Sequence, residues 1–324
     1  MLNIRGLNIS IHLIHHSMLD VRCSMFIRLI LATALFGCVP VRDVGEQVLE
    51  DSFSVMTYNI WDLNGKRPAV DDVVKVIRSE GIPDLILLQE VRGEAMASKI
   101  AEGLGFSHHL YHEFKGKTYG AAIISRVPLT ETGFLNFKAS GTGRGALMAH
   151  IVVNGRKVRV CSAHLDRIES VKVEKEGVEI SWGGALGMLA REITEETVRS
   201  RSVDELLSWM GSGNPRGVII GGDFNTILYS KAIRKMGTVF EDALWNSPDY
   251  FTGTYIKSTL PMDPRLDFLF YSKDLECRGA SVIKRSAGDH YPVRAVFGGG
   301  RGSDVGGRTS DVGHRRKGAS WQAF

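Results

Sequence analysis

Several polar residues stand at the ends of apolar runs or inside them: Asn59, Glu90, His164, Asp223, Asn225, Asp267, Asp289 and His290. Each has an ordinary structural explanation. Glu90 or Asp223 can cap a following helix. His164 can be a satisfied core histidine, Asp267 can pair with Arg265, and Asp289-His290 can be a turn. Together they can do chemistry. A Mg²⁺ ion takes hard oxygen ligands, commonly one or two carboxylates with retained waters; Glu90 can supply one, with Asn59 nearby. Such an ion polarises a phosphoryl oxygen and neutralises developing charge. Asp223 and Asn225, two residues apart in extended chain, point to one face and can orient and deprotonate a water. His290 can be fixed in tautomer by Asp267 or Asp289, and His164 can donate to a phosphate. The set reads as equipment for cleaving a phosphodiester.

These residues need strands to present them. Phe53–Trp61 is apolar and β-branched, and Asp84–Gln89 is a continuous apolar run ending in Glu90; both read as strands. Gly120–Ser125, Ala146–Val153 and Val158–Ala163 follow, the last two joined by an Asn154-Gly155 turn. Val218–Gly222, Leu266–Tyr271 and Tyr291–Phe297 complete the strand set. Helical spacing marks Val70, Val73, Val74 and Ile77 after Pro68; then Met96, Ile100 and Leu104; then Val203, Leu206, Leu207 and Met210. The stretch from Asp166 to Thr197 is polar and mixed and reads as an insertion or long loop that selects substrate. Interleaved strands and helices predict an α/β fold with two sheets and outer helices.

The strings MTYNIW, DLILLQEV, YGAAIISR, VCSAHLD, IIGGDFN, RLDFLFYS and AGDHYPVRAVF occur in this order over some 245 residues. In this order they resemble the endonuclease/exonuclease/phosphatase superfamily, which includes pancreatic deoxyribonuclease, bacterial sphingomyelinases and inositol polyphosphate phosphatases. The resemblance implies a four-layer sandwich of two packed mixed sheets flanked by helices. It also implies roles. Glu90 is the principal Mg²⁺ ligand, with Asn59 and Asp289 on the metal side and Mn²⁺ a substitute. His164 contacts phosphate, Asp223 and Asn225 orient the nucleophilic water, and Asp267 supports His290, the general base or phosphate-stabilising histidine. Arg144 is a candidate phosphate contact, with Tyr119 beside it; a structural salt bridge is the alternative for Arg144. Every motif position is filled, which argues against a non-catalytic surface binding module on the same fold.

Within the superfamily, Ser162-Ala163-His164-Leu165-Asp166 replaces the tyrosine-containing PN motif of abasic-site endonucleases. Lys117-Thr118-Tyr119-Gly120 lacks the glutamate that deoxyribonucleases pair with their histidine. Charge points the same way. Residues 51–297 hold 31 Lys+Arg against 30 Asp+Glu, whereas proteins gripping duplex DNA usually show a clear basic excess. A lipid or small-molecule phosphoesterase is therefore the leading reading, and a nuclease acting on DNA the alternative.

Composition excludes other classes. With 44% hydrophobic and 23% charged residues the chain is neither disordered nor a coiled coil. Four cysteines are too few for a disulfide framework, and Cys161 and Cys277 are not expected to pair. No apolar run reaches the roughly 18 residues of a spanning helix. Met25–Cys38 reads MFIRLILATALFGC, a short apolar stretch after Arg28 with a lipobox-like close. The expected organisation is a signal segment over 1–38 with lipidation at Cys38, a linker over 39–50, the domain over 51–297 and a flexible Gly/Arg-rich tail over 298–324. That organisation describes an exported monomer held to a bacterial envelope membrane by lipid, with no protein partner; secretion after an ordinary cleaved signal is the alternative.

Overall fold

The structure, a computed structural model, describes residues 52–61, 68–168, 182–211, 213–257 and 263–298. The expected signal segment, Cys38, the linker, the tail beyond Gly298 and part of the expected insertion (169–181) lie outside the described residues.

Among the described residues, twelve strands form two six-stranded sheets. The first has the order β11(Glu276–Val282), β12(Val293–Gly298), β1(Ser52–Asn59), β2(Leu85–Val91), β4(Gly120–Ser125), β3(His108–Glu113). The second runs β5(Thr130–Asn136), β6(Gly145–Val153), β7(Arg156–His164), β8(Val218–Asp223), β10(Asp267–Ser272), β9(Phe240–Asp242). Both are mixed: β1 pairs parallel with β2 and β7 with β8, while the other pairings are antiparallel.

Strand alternation explains the layers. Val55, Leu85, Leu87 and Ile123 face Leu147, Val160, Ile219 and Leu269 in a core between the sheets. Their neighbours Met56, Tyr58, Ile86, Leu88 and Ile124 face outward. They pack on α1(Val70–Arg78) and α2(Glu94–Leu104), through Val73, Ile77, Ile100 and Leu104. On the second sheet Ala163, Ile220, Phe268 and Phe270 meet α4(Val198–Met210) and α5(Lys231–Val239), through Val203, Leu206, Met210 and Met236. Burial on both faces makes the central strands continuous apolar runs rather than alternating ones. The Asn154-Gly155 turn joins β6 and β7 with φ of 50° and 73°, the left-handed pair this hairpin needs.

Of the two readings of Asp166–Thr197, an insertion or a long loop, the loop needs correcting. Its described part carries a further helix, α3(Trp182–Thr194), followed by Thr197 as the capping residue of α4. Three glycines within its first six residues, Gly183, Gly184 and Gly187, weaken its helix signal in the sequence. Among the described residues no helix is long and apolar enough to cross a membrane, and Cys161 and Cys277 are free.

Candidate active site

The predicted polar residues collect where strands of both sheets end. Asn59 closes β1, His164 closes β7 and Asp223 closes β8, while Asp267 opens β10. Pairing puts His164 opposite Asp223 on one side and Asp267 opposite it on the other, so three functional side chains stand in a row. Glu90 comes from the first sheet. The β2–β4 register shifts between Gln89 and Val91, and Glu90 takes φ 60°. A bulge of this kind redirects one side chain out of the strand's alternation. Here it turns Glu90 toward Asn59, whose Nδ2 donates to Glu90 Oε1 at 3.3 Å and to Asp223 Oδ2 at 2.9 Å. One amide thus joins carboxylates of the two sheets. Beneath it, buried Gln89 Nε2 donates to Ser162 Oγ at 3.0 Å, a second polar tie across the interface.

Asn225 lies just past β8 with φ 47°, a left-handed turn in place of the extended chain expected for Asp223–Asn225, and a conformation asparagine tolerates better than most residues. Its N–H donates to Asp223 Oδ1 at 2.8 Å, and its Nδ2 donates to Asp223 Oδ2 and Leu165 O at 3.0 Å each. His290 Nδ1 donates to Asp267 Oδ2 at 2.7 Å, leaving Nε2 3.9 Å from Asp223 Oδ2 and 4.0 Å from Asp289 Oδ1. Of the two partners left open for His290, Asp267 is the hydrogen-bonded one. Arg144 is buried; its Nη1 hydrogen-bonds the His164 ring and lies 3.5 Å from Glu90 Oε1. Tyr119 OH accepts from Arg144 Nη2 at 3.5 Å. All the expected site residues within the described range converge on one place.

Electrostatics follow from burial and crowding. Burial opposes charging of His290, yet Asp267 and Asp223 outweigh it and raise the imidazole to about 10. Burial drives His164 well below its ordinary value, and the charges of Arg144, Arg167 and His290 add to this; it stays a neutral acceptor for Arg144. Burial raises Asp223 to about 6, with His290 pulling against it and Asp267 adding to it. Asp289 is likewise raised, by burial first.

The donor set suits a divalent cation. Ligand atoms of Glu90, His164 and Asp223 lie within 4.8 Å of one another, as do those of Asp223, Asp267 and His290. Glu90 Oε2, Asp267 Oδ1 and Asp289 Oδ1 are buried oxygens without a hydrogen-bond partner, an arrangement that charge from a metal would satisfy. Asn59 Oδ1 accepts the Trp61 N–H at 3.0 Å, and Asp289 belongs to neither cluster.

Some residues at the site were given no role by the sequence. Arg167 Nη2 stands 3.3 Å from Glu90 Oε1. Thr254 Oγ1 accepts the N–H groups of Leu266 and Asp267 at 2.9 and 3.0 Å and so sets the start of β10. Asp166 accepts from Ser140 Oγ at 2.8 Å, Gly141 N at 3.1 Å and Thr142 Oγ1, holding the loop before Arg144. In the sequence Asp166 closes the VCSAHLD string and Arg167 follows it, while Thr254 stands in none of the strings.

The sequence profile of the endonuclease/exonuclease/phosphatase family matches residues 56–304. Curated proteins offer no match. Among solved structures the chain is similar to an endonuclease/exonuclease/phosphatase from Beutenbergia cavernae, with TM-score 0.58 and 19% identity over 76% of this chain and 72% of that one. It is similar to D. rerio TDP2 complexed with single strand DNA product, with TM-score 0.55 and 18% identity over 76% and 98%. The human Nocturnin catalytic domain with bound sulfate anion gives TM-score 0.55 and 18% identity over 76% and 93%. At these identities the likeness establishes the fold.

Proposed function

Because the chain belongs to the endonuclease/exonuclease/phosphatase family, we propose that it is a Mg²⁺-dependent phosphodiesterase that cleaves its substrate by in-line attack of water. One observation carries the reading. The bare, buried oxygen of Glu90 and the hydrogen-bonded Asp267–His290 pair both border Asp223, which Asn225 and Asn59 hold from two sides. When bound, Mg²⁺ supplies a Lewis acid that draws charge from the phosphoryl oxygen, and Glu90 would hold it. Asp223 accepts the proton of the attacking water, which Asn225 helps to position. Asp267 fixes the His290 tautomer, so Nε2 can donate to the phosphoryl group as charge builds on it. Arg144 offers a planar donor beside Glu90, and its burial keeps that charge strong. Catalysis rests on positioning and charge neutralisation, with no covalent intermediate on the protein.

The near-neutral domain supports a lipid or small-molecule phosphodiester over duplex DNA. The nuclease reading draws on one neighbour, TDP2, whose structure contains single strand DNA product. The test is hydrolysis of bis(p-nitrophenyl) phosphate, phosphatidylcholine and sphingomyelin vesicles and supercoiled plasmid by full-length protein in detergent. We expect turnover that EDTA abolishes and that Asp223→Asn lowers by about a hundredfold or more. No turnover of any of these by folded protein with Mg²⁺ or Mn²⁺ would reject the reading. Export and lipid anchoring at Cys38 are part of the proposal; radiolabelled palmitate should mark the wild type and leave Cys38→Ala unlabelled.

A further inference from the structure

A buried ion pair outside the catalytic set reaches both loops that carry it. Arg199, on α4, is 7% exposed, and Glu192, on α3, is 2% exposed. Arg199 Nε donates to Glu192 Oε2 at 2.9 Å and Nη2 to Glu192 Oε1, a two-pronged pairing. Arg199 has a donor left over. Its Nη1 donates to the backbone carbonyls of Asp166 at 3.2 Å and Arg167 at 2.8 Å, in the segment leaving β7 just after His164. Glu192 reaches the other way. Its Oε2 accepts from Thr226 Oγ1 at 2.9 Å, and Thr226 follows Asn225 in the segment leaving β8.

Two consequences follow from that placement. The carbonyls of Asp166 and Arg167 cannot drift without breaking bonds to Arg199, so the Asp166 carboxylate stays under Ser140, Gly141 and Thr142, and the Arg167 side chain stays beside Glu90. Thr226 is tied to the same pair, which anchors the chain directly after the left-handed Asn225. A pair that served only the helix packing would need neither the carbonyl bonds nor the threonine. Buried ion pairs also add little net stability over well-packed apolar residues of similar size, so stability alone is a weak reason for this one.

We propose that Glu192 and Arg199 are positioning residues that clamp the β7 and β8 exit loops together. Arg199 sets the phosphate-gripping edge at Arg144 and Arg167, and Glu192 sets the water-orienting edge at Asp223 and Asn225. The inference rests on the phosphodiesterase reading for what the edges do.

The test uses full-length protein with Mg²⁺ and bis(p-nitrophenyl) phosphate, and three variants. Arg199→Lys keeps the charge but cannot serve the carboxylate and two carbonyls together; KM should rise about fivefold with kcat kept. Thr226→Val removes only the bond to Glu192; kcat should fall about fivefold with KM kept. Glu192→Met combined with Arg199→Met removes both charges so that neither is stranded, and it should lower kcat/KM by about a hundredfold while still folding. This opposite division between KM and kcat is what a merely structural pair would not give. Wild-type kinetic constants in the double variant, measured where circular dichroism shows it folded, would overturn the proposal, as would losses that follow melting temperature alone. If wild-type protein cleaves no phosphodiester, the phosphodiesterase reading fails by itself. Amide hydrogen exchange then decides the clamp: exchange in the double variant should quicken at residues 140–144, 165–167 and 224–226 while β1 and β2 hold, and unchanged exchange there would overturn it.

Discussion

Asn225 does two jobs that can be separated. Its side chain bonds Asp223 and Leu165, and its backbone sits in the left-handed region at φ 47°. Replacing it with alanine loses the bonds and strains the backbone; replacing it with glycine loses the bonds alone. Both variants should lose activity by about a hundredfold. Asn225→Gly should nevertheless be more stable than Asn225→Ala by about 1 kcal/mol, read by urea unfolding. Equal stabilities would mean that the turn relaxes once the side chain is gone. The identities of such residues were legible in the sequence, since Asn59, Glu90, His164, Asp223, Asn225, Asp267, Asp289 and His290 could each be named from their places beside apolar runs. Their partners were not. That Asn59 bridges Glu90 and Asp223, or that Arg144 meets His164, depends on contacts between residues 20 to 164 positions apart.

At the scale of elements, the helices on the second sheet are joined by charge as well as by apolar packing. Glu196, between α3 and α4, lies 2.8 Å from Lys231 Nζ and 2.9 Å from Lys235 Nζ of α5, and accepts from Ser200 Oγ at 2.6 Å. Lys231, Ser200 and Lys235 together hold its carboxyl down at about 2, against an ordinary 4.5. A group held low in the folded state favours folding above its unfolded value, and that stability is lost as pH falls through the folded one. The wild type should therefore lose melting temperature between pH 4.5 and 2, and Glu196→Gln should lose less over that window while starting lower at pH 7. Parallel thermal profiles for the two proteins would show that the pair is fully screened by solvent. The strands divide by visibility. β1, β2, β4, β6, β7, β8, β10 and β12 were read from the sequence because burial on both faces writes them as apolar runs. The strands not read, β3, β5, β9 and β11, are the four sheet edges; partly exposed residues such as those of β5 and β11 leave no such run.

In the molecule as a whole, the two sheets must approach closely for one site to draw on both. Gly221 of β8 marks the approach: a Cβ there would stand 2.8 Å from Leu87 Cδ1 and 2.9 Å from Thr57 Cβ of the first sheet. Gly221→Ala should cost about 1–3 kcal/mol by overpacking, and by spreading the sheets it should weaken the Asn59 bond to Asp223 and lower activity beyond the loss of folded protein. Calorimetry with activity per folded molecule checks this, and a well-folded, fully active variant would show that the interface yields. The sequence by itself determined the central strands, most of the helices, the α/β class and the identity of the chemical groups, because those follow from local periodicity and from residue type. Tertiary structure alone decided the edge strands, the redirected Glu90, the tie through Asn59, and the pairing of Arg199 with Glu192, which lies in a stretch that reads as an insertion or long loop. Those features arise from how two sheets pack face to face, and a contact between residues distant in the chain leaves no period or spacing in either segment to be read.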